Sequence, residues 1–289
     1  MKNMSINLKS YDILIKNNLD DIKKSFIQYF GDKYRDVIEE RINSIMFCWY
    51  KHPLLDSFCN KYFKNIDNKL IDNKNNEIIG STYDIKEYKN LLENMLDVNK
   101  NILGSNIEFC IGDEIKSFVL FPCILCNDKN LIHEIEHVVV FQALCYVEDK
   151  KYWISKSGLR IQTKEEMFFE ELINERSAID ITKIFHDMKC TVLENDMYIK
   201  ISNVYDDYLG LIDMFYNKYF DVLKIARITD NYNLLYKYVD KDIFKQYVCF
   251  IYKLYEENKK IDDNDILIAE KYVMDMKKDG DKKLKLVKD

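Results

Sequence analysis

Helix breakers are scarce in this chain, which holds 7 glycines and 2 prolines in 289 residues. Gly and Pro cost about 1 and 3 kcal/mol in a helix interior, so their rarity lets long helices run uninterrupted and predicts a helix-dominated protein. Long apolar runs are missing too. The N-terminal stretch has no continuous apolar core of signal-peptide length, and no later window reaches what a bilayer demands. The expectation is a cytoplasmic protein with no membrane partner. Basic stripes interleaved with aromatics are also absent. The 43 Lys and Arg alternate with 49 Asp and Glu for a net charge of −6, which argues against nucleic acid as a partner. Cys123 and Cys126 form a single C-x-x-C, and the second pair that a zinc ribbon needs is lacking, so both are read as buried thiols on a strand. The 8 cysteines lie scattered in apolar runs, as Cys48 and Cys249 do. A free thiol there behaves as a small hydrophobe, which fits a reducing compartment.

What is present has the balance of a folded globular protein, 47% hydrophobic and 32% charged. Two helices are expected between Asp20 and Tyr50. Ile22, Phe26, Tyr29 and Phe30 mark the first; Tyr34, Val37, Ile38, Ile42, Ile45 and Met46 mark the second, with a stop and a new cap at Gly31-Asp32. Asn65 to Asn76 reads as a surface loop, and Asp84 to Met95 as a helix. From Ile107 to Leu125 the apolar runs suggest strands broken at Gly112-Asp113. Asn127 or Asp128 then caps a helix from Lys129 to Cys145, and polar turns at Glu148–Lys151 and Lys156–Gly158 suggest a hairpin. Thr163 followed by Glu166 is a capping-box pattern opening a helix to about Met188. From Asp206 onward the apolar spacing is helical, up to a solvated charged tail.

The chemistry is concentrated in LIHEIEHVVV. Here His133, Glu134 and His137 form H-E-x-x-H, and the chain has only 4 histidines in all. Residues four apart on a helix share a face, so both imidazoles reach one cation while Glu134, one step round, reaches a water on it. Random placement yields this motif roughly 0.005 times per such chain, which makes coincidence an unattractive account. The plainer account is an amphipathic helix that buries Leu131, Ile132, Ile135, Val138, Val139, Phe141 and Leu144 whatever the histidines do. A catalytic zinc takes three protein ligands, so the motif predicts a third one downstream. FFEELINERSAIDI supplies it: Glu171 and Glu175 stand four apart, with Ala178 continuing the stripe. That places a ligand and an acid able to orient a ligand histidine on one helix face.

With these residues in view, the sequence resembles the gluzincin metallopeptidases, of which thermolysin is the familiar member. The likeness covers the two helices, HEIEH and Glu171-Leu-Ile-Asn-Glu175. It implies zinc as cofactor, Glu171 as third ligand, Glu175 as the orienting acid and Glu134 as general base acting on peptide or protein substrates. The Asn174-Glu175 pair also resembles the family's ligand-bearing Asn-Glu, which makes Glu175 the alternative ligand. Glu136 departs from the family pattern, where that inner position is uncharged, and is read as facing solvent. His186, Tyr205 and Tyr208 are candidates for the electrophilic residue that assists such enzymes. The strand at Ser117 to Phe121 stands where the family presents an edge strand to extended peptide.

The resemblance implies an α+β, predominantly helical fold, zincin-like and two-lobed, with a small antiparallel sheet beside the active-site helix. The domains expected are an N-terminal helical region (1–105), a zincin-like catalytic core (106–190) and a C-terminal helical lobe (191–289). The expected function is zinc-dependent peptide hydrolysis. The alternative from another class is a helical interaction protein with a structural or vestigial zinc site.

Overall fold

A computed structural model describes residues 9–49, 64–66, 69–71, 77–80, 105–111, 114–121, 127–140, 142–147, 152–157, 163–190 and 204–277. The helices are α1 (Lys9–Phe30), α2 (Arg35–Asn43), α3 (Asp128–Val139), α4 (Lys164–Asp187), α5 (Asp213–Thr229), α6 (Tyr232–Leu235), α7 (Lys241–Glu256) and α8 (Asp263–Asp275). The strands are β1 (Ile45–Trp49), β2 (Lys64–Ile66), β3 (Lys69–Ile71), β4 (Glu77–Gly80), β5 (Ser105–Ile111), β6 (Glu114–Phe121), β7 (Gln142–Val147) and β8 (Tyr152–Ser157).

The expected fold class is corrected. Where side chains are described, 81% of residues are helical. The strands traced along the backbone make a six-stranded sheet in the order β1-β6-β5-β4-β3-β2, with β7 and β8 paired separately. That sheet is neither small nor antiparallel throughout, because β1 joins β6 in parallel while β5 joins β6 antiparallel. Two of its sources had the wrong local signature. Residues 45–49 continue an apolar run that reads as the end of a helix, and the stretch rich in Asn, Asp and Lys after Asn65 reads as loop. Parallel pairing of Ile45 with Ser117 joins distant segments, which no local period specifies. The expected helix at Asp84 to Met95, the Cys123/Cys126 pair and the charged tail lie outside the described residues.

Two compact units make up the chain, Met1–Lys156 with Asp180–Ile199, and Ser157–Ile179 with Lys200–Asp289, so α4 begins in the second and ends in the first. In the first unit, α1 buries Ile22, Phe26 and Phe30. It stops at Gly31, whose φ of 110° suits a residue without Cβ and whose N–H bonds the Ile27 carbonyl at 2.8 Å. Helix α3 packs against α2, β5 and β6.

The second unit is a helical core in which Phe169 of α4 meets Phe215, Phe244 and Tyr247 edge to face, with centroids 5.5 to 5.7 Å apart. The buried Tyr247 hydroxyl donates to the Leu211 carbonyl at 2.7 Å, so its polar end is satisfied inside an apolar core. Cys249 on α7 is exposed, a correction to its expected place as a buried small hydrophobe. The apolar face of α7 is carried instead by Phe244, Tyr247, Val248, Ile251 and Leu254.

Candidate metal centre

Local signals set the limits of α3. Asn127 lies in extended backbone and its side chain accepts from the Asn130 N–H at 2.8 Å, an N-cap that satisfies one of the orphan donors of the first turn. At the far end the Arg41 guanidinium donates to the Val139 carbonyl, where a cation also meets the negative end of the helix dipole. Burial pulls the Arg41 pKa below the ordinary arginine value. The expected continuation to Cys145 is corrected: Val140 is extended, and β7 starts at Gln142. The β-branched run Val138-Val139-Val140 suits helix face and strand alike, so periodicity did not reveal the boundary.

All residues from Asn130 to Val139 are buried. Glu136, expected at the surface, is 0% exposed, because α3 packs against α2 and two strands and keeps no polar face. His133 (6%), Glu134 (8%) and His137 (8%) are buried with it. An ionisable group inside a protein costs several kcal/mol unless it is paired or binds a metal. A dication held by the two imidazoles would offset part of that cost.

The two imidazoles converge, with Nε2 of His133 and Nε2 of His137 3.2 Å apart and rings edge to face at 79°. Two nitrogens held about 2.0–2.1 Å from a tetrahedral zinc stand about 3.3 Å apart, so the spacing fits a shared ion. Glu171 joins them: one ligand atom from each of His133, His137 and Glu171 lies within 4.8 Å of the others. No fourth His, Cys, Asp or Glu belongs to the group among the described residues. Two imidazoles and one carboxylate are a donor set that fits zinc.

Glu171 is carried by α4, which opens where the Thr163 hydroxyl oxygen accepts from the Glu166 N–H at 3.2 Å. Glu175 follows one turn later, is 0% exposed and is outside the group of three. Asn174, the other half of the Asn-Glu pair, accepts a hydrogen bond from Arg227 Nη2 at 2.8 Å.

The other candidates are placed elsewhere. Nε2 of His186 stands 2.9 Å from Oδ2 of the buried Asp128, a pair that ties the end of α4 to the start of α3. No local pattern announces it, since both partners sit at helix ends 58 residues apart. The Tyr208 ring packs against Phe168 at 5.6 Å and its hydroxyl donates to the Lys259 carbonyl at 3.5 Å. Burial pushes its phenol up, with Asp207 and Tyr255 adding to the effect. Tyr205 lies 6.0 Å from the same Phe168 ring. The expected edge strand is corrected as well. Residues 117–121 belong to β6, which is paired on both sides, so its backbone has no free row of N–H and C=O groups for an extended peptide. No described helix is long and apolar enough to cross a membrane.

Comparison of the chain with protein families, with curated proteins and with solved structures finds no match. The likeness to gluzincins therefore rests on the residues of α3 and α4 themselves.

Proposed function

We propose that this protein is a zinc-dependent metallopeptidase that hydrolyses peptide bonds in peptide or protein substrates. The observation that carries the proposal is the convergence of His133 and His137, on the buried α3, with Glu171 of α4 within 4.8 Å. A set of three protein ligands suits catalysis, where the fourth position is left to water, whereas structural zinc sites close the shell with four. Bound zinc supplies Lewis acidity, lowering the pKa of water towards about 7 and polarising a carbonyl. The two histidines would hold the ion through ring nitrogens and Glu171 through a carboxylate oxygen. Glu134 takes the proton from the attacking water and passes it to the leaving amine, so no covalent intermediate is needed. A cytoplasmic place of work without a membrane partner belongs to the same proposal, as does the lack of a nucleic-acid partner, which the dispersed charge of −6 supports.

The test is metal analysis of protein purified without added metal, with cleavage of a broad peptide library as the activity probe. The expected result is about one zinc per chain, as one three-ligand site requires, together with cleavage that a chelator stops. A wild type that binds zinc through a closed shell and cleaves nothing would instead support a helical interaction protein with a structural or vestigial site.

A further inference from the structure

One charged group of the second unit lies outside the proposed chemistry and is nonetheless bound to the helix that bears Glu171. Arg227 of α5 is 1% exposed, with Glu170 at 1%, Asn174 at 0% and Ser177 at 0% around it. Its Nε donates to Glu170 Oε1 at 2.8 Å, and its Nη2 stands 2.7 Å from that same oxygen. Nη2 also donates to Asn174 Oδ1 at 2.8 Å, and Nη1 to Ser177 Oγ at 3.3 Å. Ser177 in turn donates to the carbonyls of Ile173 and Asn174, at 2.8 and 3.1 Å. The planar guanidinium thus grips three consecutive turns of one face of α4.

Glu170, Asn174 and Ser177 share that face, and each of Glu171, Glu175 and Ala178 is the next residue in the chain, about 100° further round the helix. We infer that Arg227 is a positioning residue for the metal centre, fixing the rotation of α4 so that Glu171 is presented to His133 and His137; the inference rests on the proposed function. Replacing a buried ion pair by apolar side chains of similar volume is often neutral or stabilising, so the effect of this one lies in geometry. A helix with its side chains is about 10–12 Å across, so a turn of about 10° moves a carboxylate at its rim by about 1 Å. Metal–ligand distances tolerate only about 0.2 Å. A lysine keeps the charge but has no planar fork to hold several turns at once.

The experiment compares wild type, Arg227→Lys, Asn174→Ala and Phe215→Leu by zinc titration, by the visible spectrum of cobalt(II) bound in place of zinc, and by thermal melting. Phe215→Leu is the control, since it loosens the same core without touching the grip. Arg227→Lys and Asn174→Ala are expected to bind zinc about 10- to 100-fold more weakly, the usual loss when a support of a ligand is removed, with an altered cobalt band. Phe215→Leu should lower Tm and leave both affinity and band unchanged. Asn174→Ala leaves the ion pair in place and carries the test if Arg227→Lys does not fold. If the grip variants lower Tm as the control does while affinity and band stay those of wild type, Arg227 is merely structural and the inference falls alone. A wild type that takes up neither zinc nor cobalt overturns the proposed function and this inference with it.

Discussion

Glu134, Glu171 and Glu175 carry the same functional group; the proposal makes the first a general base and the second a ligand, the gluzincin likeness implies that the third orients a ligand histidine, and glutamine separates the three tasks. Glu134→Gln should leave zinc bound and lower turnover at least about a hundredfold, because the general base is gone while the ligands remain. Glu171→Gln should weaken zinc binding itself, as a neutral amide replaces a ligand carboxylate. Glu175→Gln should cost only about 10- to 100-fold in affinity or activity, the range for a residue that acts on a ligand from behind. Zinc titration and peptide cleavage on all three variants decide the matter; metal lost by Glu175→Gln and kept by Glu171→Gln would reverse the assignment. These residues were legible in the sequence because spacing on a helix is a local property. The burial of Glu136 was not, since it depends on what covers every side of α3.

Elements begin where their caps are, and several caps could be read in advance: Asn127 for α3, Thr163 for α4, Gly31 after α1. Helix α8 offers a test of this kind of linkage. The Asp262 side chain accepts from the Asp265 N–H at 3.0 Å, the Asp265 carboxylate accepts from the Asp262 N–H at 3.2 Å, and the Lys259 ammonium donates to Asp265 as well. The Lys259 ammonium holds the Asp265 carboxyl below its ordinary value of 3.8, outweighing burial, which acts the other way. A carboxyl depressed in the folded state contributes stability above its unfolded pKa and loses it as the pH falls through the folded one. Asp265→Asn should therefore be less stable than wild type at neutral pH. The gap should narrow as the pH drops below 3.8. Urea unfolding of both proteins across the acid range measures it, and a gap that stays constant down to the most acid point would refute the linkage. The elements misread were those whose residues suit two structures, such as 45–49 and 142–147, where apolar and β-branched side chains fit a helix face as well as a strand.

At the scale of the whole molecule, a ligand that binds only the folded chain shifts the unfolding equilibrium by mass action, about 2.7 kcal/mol at a hundred times its Kd. Zinc at that level should raise Tm by about 5 °C for a protein of this size, and a chelator should return it. His133→Ala and His137→Ala should melt at the same temperature with and without zinc; an equal shift in those variants would place the ion elsewhere. The sequence by itself determined the helical character of the chain, the caps of its principal helices and the H-E-x-x-H face, because each depends on residues within a few turns of one another. The tertiary structure alone decided that β6 lies inside a mixed sheet, that Glu136 is buried and that Arg227 grips α4. Each of those outcomes depends at least in part on a partner far away in the chain, as the pairing of Ile45 with Ser117 and the 53-residue separation of Arg227 and Asn174 illustrate, and the pairing of distant segments leaves no period in the local sequence.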